Sequence, residues 1–181
     1  EQWSDQLITR PKLVRWLGAA NICLGVLLGI YTGILLGSLG ARPLWSSALL
    51  GPLFLVSGLS TAAAFVHLVA KNRSEREMLA RADIGFLIIE LIFIGLFLIG
   101  LMSATRMHMA AVGLLLGGSF TAVFWVFVIG LGIFIPIVIQ SLAVTHKIQH
   151  TPVAPILVIS GGLILRFVIV YAGQFAGWVP I

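Results

Sequence analysis

The chain has 181 residues, of which 60% are hydrophobic and 9% charged, and its mean hydropathy is +1.12. A water-soluble domain carries about 25% charged residues, so this composition excludes a soluble fold and points to an integral membrane protein. Eleven Lys and Arg against six Asp and Glu leave a net charge of +5, but these charges stand between apolar runs. Lipid headgroups and the bias of basic residues toward one membrane face account for them, and no nucleic-acid partner is expected. The single cysteine, Cys23, lies inside an apolar run and cannot by itself build a disulfide, a zinc site or an iron–sulfur cluster. The chain opens on Glu1-Gln2-Trp3, as expected of a processed protein or a piece of a longer one.

Five stretches reach the roughly 20 apolar residues that a helix needs to cross a bilayer. They are residues 13–39, 44–70, 84–103, 118–144 and 153–173. The expected fold is an all-α membrane helical bundle. Residues 110–118 are too short to cross and either lie at the interface, break the helix or lengthen the fourth span. Pro43, Pro152 and Pro155 fall near span boundaries, where proline fits, whereas Pro52 and Pro136 fall inside spans and predict kinks. The first span has a basic flank but is too long for a secretory signal peptide.

Orientation follows from Lys and Arg. Arg10, Lys12, Arg15, Lys71, Arg73, Arg76, Arg81 and Lys147 make eight on one side, against Arg42 and Arg106 on the other. This bias places the start of the chain on the cytoplasmic side.

Several residues do not belong in hydrocarbon. Glu90 sits about two turns into the third span, seven residues after Asp83 and so on the same helix face. Arg166 lies near the middle of the fifth. An ionisable group at such depth costs several kcal/mol unless it is paired, hydrated or functional. The bland alternatives are an Asp83 that caps the helix start, a Glu90 that snorkels to the lipid edge, and an Arg166 in structural pairing. At 1.5 Å per residue, Glu90 stands about 10 Å above Asp83 and Arg166 roughly 20 Å above Val153. Asp83, Glu90, Arg166 and Arg106 thus form a broken polar ladder whose gaps need bridging waters. It serves either proton movement or ion pairing between helices.

A second polar set gathers at the other end: Tyr31, Arg106, His108, Tyr171 and Gln174. Donors beside apolar surface suit a carbonyl-bearing, oily ligand such as a quinone. The two tyrosines read equally well as interfacial anchors, and His108 as a solvated loop residue. Gly25, Gly29, Gly33 and Gly37, four apart, give the first span a smooth ridge on which another helix can pack closely. Haem needs inward histidines at membrane depth. His67 lies near a span end, and His108, His146 and His150 read as loop residues, so neither haem nor a metal centre is expected.

The ordered segments Tyr31-Thr32-Gly33-Ile34-Leu35-Leu36, Ala41-Arg42-Pro43-Leu44-Trp45, Gly51-Pro52-Leu53-Phe54-Leu55-Val56-Ser57-Gly58-Leu59-Ser60, Ser160-Gly161-Gly162-Leu163-Ile164-Leu165-Arg166-Phe167 and Val170-Tyr171-Ala172-Gly173-Gln174 resemble the NrfD/PsrC family. These are membrane subunits of polysulfide reductase-like complexes. The resemblance implies a haem-free, quinone-reactive subunit in a prokaryotic cytoplasmic (inner) membrane. It would exchange electrons between menaquinol or ubiquinol and a partner with four iron–sulfur clusters. That partner serves a molybdopterin catalytic subunit or a related assembly, and some relatives couple the reaction to proton translocation. Tyr31 matches the tyrosine of the family's Tyr-Thr-Gly motif, Arg166 its last-helix arginine, and Arg106 resembles another membrane arginine. Family members have eight or more spans in two four-helix bundles, with a histidine and an asparagine of an early helix in the quinone pocket. No such helix precedes Leu13, so this chain reads as the later part. Residues 1–40 would hold the last helix of a first bundle with its basic flank, and residues 41–181 a second four-helix bundle. The rival readings are a proton or solute transporter, for which the chain's halves show no inverted repeat, and a passive anchor for an iron–sulfur subunit.

Overall fold

The computed structural model describes residues 11–38, 40, 42–145 and 151–177, all of them in helices or the short turns between. The elements are α1 (Pro11–Ser38), α2 (Leu50–Val69), α3 (Arg73–Met102), α4 (Arg106–Leu116), a π-helix (Val123–Phe134) that runs into α5 (Ile135–Val144), and α6 (Val153–Phe175). Five continuous helical stretches are long and apolar enough to cross a membrane, with the π-helix and α5 counting as one. Arg10, Ala41, His146, Lys147 and His150 lie outside the described residues.

Four of the spans pack around a common core that includes Leu53, Leu87, Phe97, Phe124, Val128 and Leu165. Helix α1 packs chiefly on α2 and leaves most of its surface outside the core. Its glycine ridge explains where it touches. A Cβ on Gly33 would stand 2.4 Å from the Gly51 backbone, and one on Gly29 3.0 Å from Leu55. Gly25 meets nothing, so the ridge packs from Gly29 onward. In lipid there is little hydrophobic drive between helices, and such backbone-to-backbone approach is what holds them. Beyond α1 the chain turns at Gly40, whose φ of +52° suits a residue without a Cβ.

Four expectations change. The second span starts at Leu50 and not at residue 44, because the chain turns through residues 43–45 and again at 48–49. Pro52 therefore falls in the first helical turn, where no N–H partner is needed, and not at an internal kink. The third helix begins at Arg73, about a turn beyond the second, so Asp83 lies well inside it and caps nothing. Residues 110–118 belong mostly to α4, which makes His108 a helical residue and not a loop residue.

The fourth span carries a feature that no apolar pattern announced. Its first twelve residues form a π-helix, closed by a bond from the Ile135 N–H to the Gly130 carbonyl. Such wide turns are rare and mostly confined to single-turn bulges. Pro136 follows directly, at the start of α5, where its missing N–H falls at the change of helix type. Near this point the span crosses α6, with Gly132 and Gly161 in backbone contact.

One long-range bond ties the ends. Trp45 Nε1 donates to the Ile169 carbonyl at 3.0 Å, and the indole lies over Gly173, where a Cβ would sit 1.8 Å from that nitrogen. Trp45→Phe keeps most of the ring and loses the donor. It is expected to cost about 1 kcal/mol, read as a lower melting temperature in detergent. An unchanged melting temperature would assign the tie to ring packing alone.

Candidate functional site

The charged residues read from the sequence lie inside the bundle. Asp83 has no exposed surface and Glu90 only 4%. This burial removes the snorkelling alternative for Glu90, since a lipid-edge carboxylate would be open on one side. Seven residues apart on α3, both face α2 and the other core helices. Both oxygens of Asp83 are engaged: Ser60 Oγ donates to Oδ1 and Gln140 Nε2 to Oδ2, each at 2.6 Å. Asp83 thus joins α2, α3 and α5. The oxygen of that amide, Gln140 Oε1, is buried without a hydrogen-bond partner among the described residues, and so is Ser57 Oγ one turn from Ser60.

Ser57 approaches Glu90, whose carboxyl also lies within charge–charge range of Arg166 and Asp83. Glu90 and Arg166 form no direct salt bridge. Instead, the guanidinium is held by carbonyls. Its Nη1 donates to Gly162 O at 2.9 Å and Nη2 to Phe54 O at 3.3 Å, and its carbon stands 5.8 Å from the centre of the Phe54 ring. Space for it comes from glycine. A Cβ on Gly58 would lie 3.5 Å from Nη2; one on Gly162 would lie 3.4 Å from Nη1 and 2.7 Å from Thr61 Oγ1. The result is a polar line on three helices, with Asp83, Ser60, Ser57 and Glu90 buried and Arg166 part-buried at its end. Arg106, expected as its upper rung, is exposed at the start of α4 and makes no hydrogen bond to it.

The second polar set is gathered only in part. The turn after α1 brings Ser46 against α4, where Ser46 Oγ and His108 Nε2 are 2.7 Å apart; His108 Nδ1 pairs with Thr105 Oγ1, also at 2.7 Å. Ser46 lines a cleft of about 450 Å³ between the end of α1 and the start of α2, with Gly33, Gly37, Ser38, Ser47 and Gly51. An apolar groove of about 440 Å³ adjoins it along α1, lined by Leu24, Leu27, Leu28, Tyr31 and Ile34. Ile34 is common to both. Tyr171 stacks on Phe167 and is exposed, as are Gln174 and Arg106. No hydrogen bond or ring contact joins Tyr31, Arg106, Tyr171 and Gln174 to one another among the described residues. No group of three or more His, Cys, Asp or Glu among them is placed to hold a metal ion.

The family model described as "Polysulphide reductase, NrfD" matches residues 3–177 of the chain. The chain belongs to the NrfD family. It is similar to Protein NrfD of Escherichia coli (strain K12), at 34% identity over 169 residues, which covers 88% of this chain and 53% of that protein. It is 33% identical to a Protein NrfD homolog of Haemophilus influenzae over 162 residues, 83% of this chain and 50% of the relative. It is also 28% identical to the C component of polysulfide reductase of Wolinella succinogenes over 179 residues, 90% of this chain and 55% of the relative. The chain spans about half the length of the curated relatives it matches. No solved structure matches it.

Within this NrfD-family protein, Gln140 and the two serines escaped the sequence reading. Serines on apolar helices commonly bond their own backbone, as Ser103 and Ser160 do here, and so carry no signal by themselves. The one hint was Gln140, an amide in the apolar run 133–144. Such a group needs a partner on another helix.

Proposed function

We propose that this NrfD-family protein is part of a quinone-interacting membrane subunit of a multi-subunit oxidoreductase. The observation that carries the proposal is the polar line from the buried Asp83 and Glu90 to the part-buried Arg166. Three ionisable groups inside spanning helices, held by hydroxyls, an amide and carbonyls, exceed what anchoring needs. The cleft and groove at the other end fit a quinone: serine hydroxyls and His108 beside the cleft for a polar head, and an aliphatic groove for its tail. A bound menaquinone or ubiquinone supplies two-electron, two-proton redox chemistry. Tyr31 would bind a ring oxygen, and His108 would hold Ser46 in position and carry a proton. Arg106, Tyr171 and Gln174 would complete the polar rim from exposed faces at the same end. Arg166 would keep Glu90 charged between proton transfers, and Asp83 would pass protons toward the Lys/Arg-rich face, which we place on the cytoplasmic side of a prokaryotic inner membrane.

In this reading electrons leave through partners. A relative named as a component of polysulfide reductase supports a reductase assembly. The partners proposed are a four-cluster iron–sulfur subunit and a molybdopterin catalytic subunit or a related assembly. In the same reading, α1 belongs to a first bundle and residues 41–181 to a second.

Arg166→Gln tests the proposal. It is expected to lower quinol-linked turnover of the purified complex about ten-fold or more, with the partner subunits still bound. Unchanged turnover argues against the role given to Arg166. Loss of the partners with turnover per complex intact turns the reading to a passive anchor, and proton or solute flux without a redox partner turns it to a transporter.

A further inference from the structure

Where α2 ends, α3 begins and α6 begins, the fold forms a partly open pocket of about 150 Å³. It lies at the end of the bundle that carries Lys71, Arg73, Arg76 and Arg81. His67, Arg76 and Thr151 line it with Leu68, Pro152 and Pro155. Arg76 is half-buried and is fixed by its Nε, which donates to the Ala70 carbonyl at 2.7 Å. Its two terminal nitrogens make no hydrogen bond among the described residues. The neighbouring carboxylates are turned elsewhere: Glu75 accepts from Asn72 at 2.9 Å, and Glu77 pairs with Arg81 at 2.6 Å. A positioned guanidinium fork with free donors, and with no ion pair among the described residues, is built for an oxyanion.

Other groups point the same way. His67 is buried, with 5% exposure, and adds an imidazole to the wall, while Thr151 adds a hydroxyl. Helix α6 starts at Val153, so the positive end of a 23-residue helix borders the site, while Pro152 and Pro155, which line it, bring no N–H of their own. Size narrows the ligand. Pockets for drug-sized molecules measure about 300–1,000 Å³, and this pocket is smaller than that range, with room for a phosphate tetrahedron. Basic pockets between membrane helices suit phospholipid headgroups.

We propose that this pocket is a binding site for a phosphate group, clamped by Arg76 with His67 and Thr151. Its sources are the phosphodiester of an anionic phospholipid or free phosphate. The site is independent of the quinone reading. The test uses the complex purified in mild detergent and stripped of loose lipid. Phosphatidylglycerol or inorganic phosphate is then added separately, and adducts are counted by native mass spectrometry and phosphorus NMR. Wild type is expected to retain one ligand that Arg76→Gln binds about ten-fold more weakly, whereas Arg73→Gln, a loss of exposed charge, changes little. Retention of phosphatidylglycerol identifies a lipid site; retention of inorganic phosphate alone identifies a free-anion site. Equal retention by wild type and Arg76→Gln overturns the proposal, and so does an equal loss with Arg73→Gln, which means diffuse surface charge. Should Arg76→Gln fail to assemble, Arg76→Lys and Thr151→Ala take its place. Each is expected to weaken retention, and wild-type retention by both overturns the site.

Discussion

Glu90→Gln is expected to lower quinol-linked turnover about a hundred-fold or more, while the subunit still folds and holds its partners. The substitution keeps the shape of the side chain and its place near Ser57. It removes the proton-exchanging group and the negative charge that faces Arg166. The guanidinium does not lose its footing, because the Gly162 and Phe54 carbonyls continue to hold it. A structural role and a proton-transfer role therefore separate cleanly. If Glu90 only balances Arg166, the variant should show altered melting and little change in turnover. If it carries protons, turnover falls and melting stays near wild type. Glu90→Asp, which restores an exchangeable carboxyl on a shorter arm, should recover part of the activity. Full turnover in Glu90→Gln would remove Glu90 from the mechanism.

The second large effect is on assembly. Gly161→Val is expected to prevent a stable bundle, at a cost of about 3 kcal/mol or more. A Cβ at position 161 would lie 2.4 Å from the Gly132 Cα, so two backbones collide and no side-chain rotation relieves it. The crossing of α6 with the fourth span would have to open. That crossing lies just before Pro136 and α5, and α5 carries Gln140 to Asp83. The measurable result is loss of the monodisperse peak on size exclusion in detergent, or a sharply lower melting temperature. Gly113→Ala is the control, because a Cβ there meets nothing. A Gly161→Val protein that melts like wild type would show that the helices separate there at no cost.

Much of this molecule is legible without coordinates. Five spans follow from the length of the apolar runs, because lipid leaves a backbone few ways to satisfy its hydrogen bonds other than a helix. Asp83, Glu90 and Arg166 declare themselves because charges inside such runs are costly. The partners of those charges were not legible. Ser57, Ser60 and Gln140 carry no charge, and they matter only because α2 and α5 bring them to α3. The π-helix was equally hidden, since it differs from an α-helix by less than one residue per turn and leaves the apolar character of residues 123–134 unchanged.

Charge, length and hydropathy are local properties, and they determined by themselves that this is a multi-pass helical membrane protein with ionisable groups in its spans. The Tyr31 and Arg166 segments also pointed to its family. Which polar groups meet is a property of helix rotation and crossing, set by glycine contacts such as Gly33 with Gly51 and Gly132 with Gly161. Only the tertiary structure decided that Asp83 is held by Ser60 and Gln140, that Arg106 stands apart from the polar line, and that Tyr31 lies on an apolar groove beside a serine-lined cleft. Side chains seven residues apart share a face by the geometry of one helix, but side chains on different helices meet only where backbone packing lets them.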